Sequence, residues 1–452
     1  MIDLILRGGT VVTAEEVKRA DVGVADGRIV ALEPFLSAAA REEIDATAFH
    51  IFPGVIDAHV HFNEPGRAHW EGIESGSRAL AAGGGTLFFD MPLNSTPPVL
   101  DGESFDRKAA AATAGSLTDF ALWGGLVPGN LDHLEELHGR GVIGFKAFMS
   151  ASGMDDFPNV DDRSLREGMK RVAKLGQLVA VHAESDAMTR RLAQERIVAG
   201  RTSIRDYLDS RPVEAELDAI GRAIGLAGET RCALHVVHVS CGAGVALIAE
   251  ARSAGVDVTC ETCPHYLVLT EEDMLRLGAV AKCAPPLRDS AEQEKLWRGL
   301  MAGEIATVGS DHSPAPPDLK VDANFFNVWG GISGVQQTLP WLLTAGYFER
   351  GLALESVARL TSPGVAARFR LPPEKGGIRV GADADVALVD LESGFEVRTE
   401  ALFYRHRQSP YAGRRLRGRV VRTLRRGETI FEEGRLAAPS AGRLVKPVKN
   451  HA

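Results

Sequence analysis

Between residues 53 and 375, short apolar runs of the strand type alternate with Ala-, Leu- and charge-rich segments of the helical type, the pattern of repeated βα units. Eight runs qualify: residues 55–61, 86–93, 119–126, 144–150, 178–184, 233–240, 256–265 and 306–312, with helical segments such as 163–175 and 213–227 between them. Eight parallel strands that close on themselves form a (β/α)8 TIM barrel, which carries its working residues at the strands' C-terminal ends. The two chain ends read differently. Residues 1–52 alternate apolar and polar positions without helices, with Ala25-Asp-Gly27 as a turn signal, and the same period returns in residues 384–390 and 418–431. Because a lone hairpin or two is only marginally stable, both ends are expected to build one small β-sandwich together. The expected class is thus α/β, with 1–52 and 376–452 (tail included) in the small domain and 53–375 in the barrel.

The chain has 452 residues, 45% of them hydrophobic, enough to fill a large core and a smaller one. Its 51 basic and 60 acidic residues leave a net charge of -9, which favours solubility and makes no case for nucleic acid or an anionic membrane. A small-molecule substrate is the expected partner. The basic stretch 405–426 lacks aromatic interleaving beyond Tyr404 and Tyr411, so a solvated face or a subunit contact is expected there rather than nucleic-acid binding. No window reaches the roughly 18 apolar residues of a spanning helix, and no basic segment precedes a long apolar run at the N-terminus, so a cytoplasmic location is expected. The five cysteines are odd in number and scattered, the usage of free thiols rather than of a disulfide framework. Cys260-Glu-Thr-Cys263 has the spacing of a metal or redox pair but sits in a β-like run with no second such pair, which favours small buried thiols.

Candidate chemistry starts at Pro53-Gly-Val-Ile-Asp-Ala-His-Val-His-Phe62. Side chains two apart on a strand share a face, so Asp57, His59 and His61 point one way and the two imidazoles can hold a metal ion from one side. Taken alone, such a pair is better explained by hydrogen-bonded core histidines. The barrel rule gathers more: Lys146 lies in the fourth strand, and His182, His238 and Asp311 end the fifth, sixth and eighth. Four histidines, an acid and a lysine are costly to bury without partners, so a shared metal site is the better reading. His235 and His238 are three apart and face opposite sides; His238, nearer the strand's C-terminal end, is the expected ligand and His235 a structural residue. His69, His265 and His312 are not needed to complete two metal shells. A protonated Lys146 has no lone pair to donate, but as a carbamate formed with CO2 it would be an anionic oxygen ligand able to bridge two ions. The alternative, a lysine reaching the surface along the barrel wall, sits poorly with Phe145 and Phe148 on either side.

Several longer motifs carry a resemblance that covers essentially the whole chain. Besides residues 53–61 they are Gly144-Phe-Lys146, Val181-His-Ala-Glu184, His238-Val-Ser240, Ser310-Asp-His-Ser-Pro314 and Gly377-Ile-Arg-Val-Gly-Ala-Asp-Ala-Asp385. The chain resembles the amidohydrolase superfamily, in the cyclic amidohydrolase group of dihydroorotases, hydantoinases and allantoinases. The resemblance implies two divalent ions, of zinc type with cobalt or manganese as alternatives: His59, His61 and Asp311 on one, His182 and His238 on the other, carbamylated Lys146 and a hydroxide between them. It also suggests a homotetramer. Similar dihydroorotases carry an Arg for the substrate carboxylate where Asn63 stands, which makes that substrate a poor fit. Pro65-Gly-Arg-Ala-His-Trp-Glu-Gly72, Met91-Pro-Leu-Asn94, Cys260-Glu-Thr-Cys-Pro-His-Tyr266, Lys282-Cys-Ala-Pro-Pro-Leu-Arg288, Trp329-Gly-Gly-Ile-Ser-Gly334 and Tyr404-Arg-His-Arg-Gln-Ser-Pro-Tyr411 resemble the allantoinases most. The implied activity is hydrolysis of the hydantoin-ring amide of allantoin to allantoate, in purine and ureide breakdown, with hydroxide attacking and Asp311 acting as general base and then acid. Asn94, the backbone at Cys283-Ala284 and at Gly330-Gly331, and Arg67 are candidate contacts for a neutral substrate; each could instead shape a loop. Ala284 stands where relatives often have Ser, a harmless change if only its backbone is used. A hydantoinase or dihydropyrimidinase is the alternative, and a non-catalytic scaffold is disfavoured because every ligand position is filled.

Overall fold

The computed structural model describes residues 1–448. All eight expected barrel strands form, most of them shorter than the apolar runs: Val55–Val60, Gly85–Asp90, Asp119–Leu122 resumed at Gly124–Gly125, Phe145–Phe148, Leu178–His182, Ala233–Val236, Val258–Thr262 and Thr307–Val308. The interruption in the third strand is at Trp123, whose indole Nε1 donates to the Ala58 carbonyl at 3.0 Å. The strand's first half pairs in parallel with the second strand and its last two residues with the fourth. On the other side a parallel bridge between Val60 and His312 joins the ends of the ring.

Strands covered on both faces read as continuous apolar runs, and their alternation shows in what each residue packs against. Leu87 and Phe89 join Ala121, Trp123, Leu178 and Ala180 in the smaller core that fills the barrel, whereas Phe88, Val179 and Val181 join the larger one beneath the helices. Trp123 and Phe89 both meet Phe369 edge-on, which plugs the barrel from below.

Strands from both chain ends share one nine-stranded sheet, in which His50–Pro53 pairs on one side with Ile2–Val12 and on the other with Val386–Glu396. A third core of Leu4, Leu6, Val22, Val24, Ile29, Ile51, Val386, Leu388 and Leu424 draws on strands from across that sheet, so the sheet folds over its own apolar face. Residues 442–445 leave this sheet and return to the barrel: Phe120 N donates to Arg443 O at 3.0 Å and Val445 N to Phe120 O at 2.7 Å.

Barrel and sheet are joined by a buried ionic cluster. Lys375 Nζ lies 2.6, 2.8 and 2.7 Å from carboxylate oxygens of Asp119, Asp383 and Asp385, and Arg426 also reaches Asp119. The three carboxylates are close enough to hold a metal ion, but the two cations already satisfy them.

Candidate metal centre and substrate pocket

His59 belongs to the first barrel strand and His61 follows it by one residue. The loop after the eighth strand is tied to this strand by backbone bonds, Ser310 N to Asp57 Oδ1 at 3.0 Å and His61 N to His312 O at 2.8 Å. Asp311 is thereby carried to the histidines: its Oδ1 is 3.3 Å from His59 Nε2 and 3.4 Å from His61 Nε2. His59 Nδ1 is 2.8 Å from Glu261 Oε1, which holds the proton on Nδ1 and leaves the Nε2 lone pair facing Asp311. The Asn94 side-chain nitrogen lies 3.2 Å from His61 Nδ1.

A second pair forms beside it. His182 Nδ1 is 3.2 Å from His238 Nε2, while His182 Nε2 donates to Glu184 at 2.9 Å. The His59 and His238 rings are 5.3 Å apart, so the two groups are contiguous. Lys146 is fully enclosed, which excludes a path along the barrel wall to the surface. Its Nζ has no hydrogen-bond partner among the described residues and lies 5.1 Å from the centre of the Phe148 ring.

Electrostatics suit this donor set to cations. Burial, followed by the Lys146 charge, pushes His59 and His238 well below the usual histidine range, and burial lowers His182 despite Glu184. These imidazoles are neutral, the state in which they bind metal. Burial brings the Lys146 amine down to about 7, only partly opposed by Asp311 and Glu261, so a neutral amine is accessible near neutral pH. Burial would raise Glu184, but Arg211 and His182 outweigh it and leave it at about 2. The unpartnered Lys146 Nζ and His238 Nδ1, the convergent imidazoles and Asp311 fit a divalent metal site.

Four residues of this region carry backbone strain. His238, Asp311, Asn63 and Asn94 have φ of 41°, 44°, 64° and 66°, in the left-handed region that side chains avoid. His238 and Asp311 do not end strands as expected; their strands stop at Val236 and Val308, and both residues sit on the strained turns that follow. His235 points away and packs its ring edge-on to Phe369.

Next to the histidines lies a cavity of about 410 Å3 lined by Asn94, Cys283, Ala284, Gly330 and Gly331, among others. Arg67 is placed outside it: the guanidinium stacks 5.0 Å over Trp70 and borders a neighbouring groove. The expected contact from Arg67 is thus corrected, since the side chain stacks on the Trp70 indole and lines that groove instead. Part of the remaining wall is already engaged. Tyr207 donates to Cys283 O at 2.9 Å, Gly331 N donates to Lys282 O at 2.7 Å, and Lys320 Nζ takes Gly331 O at 2.7 Å. Lys282 Nζ holds the carbonyls of Phe325, Phe326 and Val328. Asn63 turns its amide to Pro314 O at 3.3 Å and does not line the cavity.

Glu261 and Arg211 were not singled out from the sequence. An acid inside the apolar run of the seventh strand was a usable signal for Glu261; Arg211, in a polar segment before a proline, offered none. The five cysteines are free and buried, Cys260 and Cys263 among them.

Residues 50–430 match the amidohydrolase family. The chain belongs to the amidohydrolase family. Within it, the chain is 60% identical to an allantoinase of Rubrobacter xylanophilus, the alignment covering 98% of each protein, and 54% identical to one of Deinococcus radiodurans, covering 99% of each. Among solved structures, an L-hydantoinase (dihydropyrimidinase) from Arthrobacter aurescens superposes with a TM-score of 0.96 at 35% identity, over 99% of this chain and 100% of that one. A dihydropyrimidinase from Brevibacillus agri gives 0.93 at 32% identity, over 99% of each chain. This amidohydrolase is an (β/α)8 barrel with a second, β-rich domain.

Proposed function

We propose that the chain is an allantoinase, opening the hydantoin ring of allantoin at its amide bond to give allantoate. The observation that carries this is the gathering of His59, His61, Asp311, His182 and His238 around an unpartnered Lys146, in a chain 60% identical to an allantoinase along its length.

His59, His61 and Asp311 would hold one ion and His182 and His238 the other, with Lys146, as its carbamate, between them. Divalent ions at this position supply Lewis acidity that makes water nucleophilic near neutral pH and polarises a carbonyl. Glu261 and Glu184 hold His59 and His182 in the tautomers that present lone pairs. Asp311 takes a proton as water adds to the ring carbonyl carbon, then delivers it to the ring nitrogen as the C–N bond breaks. The substrate is neutral, so hydrogen bonds place it. Asn94, Ala284 and Gly330 are its candidate partners; Cys283 and Gly331 shape the wall, their carbonyls being taken by Tyr207 and Lys320. Zinc is the proposed metal, with cobalt or manganese as alternatives, and the proposed enzyme is a cytoplasmic homotetramer. Free buried thiols accord with a reducing compartment.

The second reading, a hydantoinase or dihydropyrimidinase, is favoured by the superposition on solved enzymes of those names. One assay decides: turnover of allantoin, hydantoin, dihydrouracil and dihydroorotate side by side with zinc-, cobalt- and manganese-loaded protein. Preference for allantoin is expected, and preference for dihydrouracil or simple hydantoins would replace the allantoinase reading with the second.

A further inference from the structure

Allantoin is hydantoin with a ureido group on C5, so a pocket that selects it must meet one added carbonyl acceptor and its N–H donors. Lys146 belongs to the metal cluster, and Lys282 is saturated by three loop carbonyls. Arg211 differs. It borders the cavity together with Ser152, Phe326 and Asn327, and a guanidinium has five N–H donors, of which Glu184 receives one. Glu184 is its only side-chain hydrogen-bond partner among the described residues.

Its position is firmly built. The Arg211 carbonyl is taken by Arg288, itself paired with buried Glu216 at 2.9 Å, and the guanidinium lies 5.6 Å over the Tyr207 ring. Tyr207 also packs edge-on against Phe325 and Phe326, which places Arg211 beside the loop that carries Asn327. The Glu184 oxygen that accepts from Arg211 is the one that accepts from His182 Nε2, so the same arginine lies directly behind a candidate metal ligand.

Resting on the allantoin reading, we infer that Arg211 is the specificity-determining residue of this pocket, donating to the exocyclic ureido carbonyl while Ser152 or Asn327 accepts from the ureido nitrogens. A planar fork suits a carbonyl acceptor, and its bond to Glu184 pre-orients the free donors. A ring without the ureido group makes no use of them.

The test is the ratio of kcat/KM for allantoin to that for hydantoin in wild type, Arg211→Gln, Arg211→Lys and Glu184→Gln, with bound metal measured for each; if hydantoin is not turned over, its inhibition constant replaces the second term. Arg211→Gln is expected to lose roughly 10- to 100-fold on allantoin, the worth of a charge-assisted hydrogen bond, while hydantoin changes by no more than about threefold. Arg211→Lys keeps the charge beside Glu184 and should fall between. Glu184→Gln should lower both substrates through His182 and allantoin further, because it also loosens Arg211. Equal losses on both substrates in Arg211→Gln would overturn the inference; they would place Arg211 behind His182, or on the carboxylate that both products share. A wild type that prefers hydantoin overturns the allantoin reading and the inference with it, whereas a wild type that prefers allantoin with an unchanged ratio in Arg211→Gln overturns the inference alone.

Discussion

At the residue scale, two side chains decide how the metal centre is expected to behave. Lys146→Ala removes a group that nothing else in the pocket replaces, so activity should fall to background and bound metal should drop. If Lys146 carries the proposed carbamate, a short carboxylic acid such as propionate should restore part of the activity by supplying an oxygen ligand in its place; full activity in the unrescued variant would remove Lys146 from the site. Glu261 acts through His59. In Glu261→Gln the imidazole keeps a hydrogen bond but loses the carboxyl acceptor, and metal affinity should weaken about 10- to 100-fold, measured by titration into metal-free protein. The His-x-His pair, Lys146 and Asp311 were legible in the sequence because each lies in or just after an apolar run, where a polar group is conspicuous. Arg211 was not legible, since an arginine in a polar loop looks the same whether it faces a cavity or solvent.

At the element scale, the loop of residues 320–331 is the part of the pocket most dependent on a narrow geometry. Gly331 has a φ of 134°, and a Cβ there would stand 2.1 Å from Ser313 O, two residues beyond Asp311. Gly331→Ala must therefore push the loop away from the turn that carries Asp311. A displacement near 1 Å at a positioning element costs up to about 100-fold in kcat/KM, and the backbone strain is worth roughly 1–3 kcal/mol of stability. Steady-state kinetics alongside a denaturant midpoint would show both, and unaltered kinetics would mean that the loop does not touch the substrate. Strand existence could be read from apolar runs, but strand ends could not. His238 and Asp311 lie two and three residues past their strands on left-handed turns, a conformation enforced by the closed ring and not by local preference.

At the scale of the whole molecule, the Lys375 cluster couples the barrel to the sheet that closes its lower side. Burial alone would lower the lysine, but Asp385, Asp119 and Asp383 outweigh it and hold it above its usual range; burial would raise Asp119, but Lys375 and Arg426 hold it below. At Asp385 burial wins, and that carboxyl lies above its usual value, which offsets part of the gain. Asp119 is a depressed acid, so its contribution is fully present above the ordinary carboxylate range near 4 and is lost as pH falls through its lowered folded value. Lys375→Met would leave three buried carboxylates short of a partner and should cost roughly 3–5 kcal/mol of unfolding free energy at neutral pH. The deficit should shrink as the carboxylates protonate in acid; a denaturant midpoint equal to wild type at pH 7 would mean that the cluster is not coupled to folding. The basic stretch 405–426 is likewise used inside the molecule: Arg405 binds Glu71, Arg414 binds Asp273, Arg422 and Arg425 pair with Glu432 and Glu428 of the neighbouring strand, and Arg419 with Glu433 just after it.

By itself the sequence determined the periodicities, and with them eight barrel strands, a β-rich pairing of the chain ends, and the polar residues too expensive to bury without partners. Those are local properties, written in side chains two or three positions apart. Only the tertiary structure decided which polar groups meet. His59 touches Glu261 across 202 positions of sequence and Arg211 reaches Glu184 across 27, while Arg67, four positions after Asn63, is turned away by Trp70. Such encounters depend on how eight strands close and where their loops fold back, which no local pattern encodes.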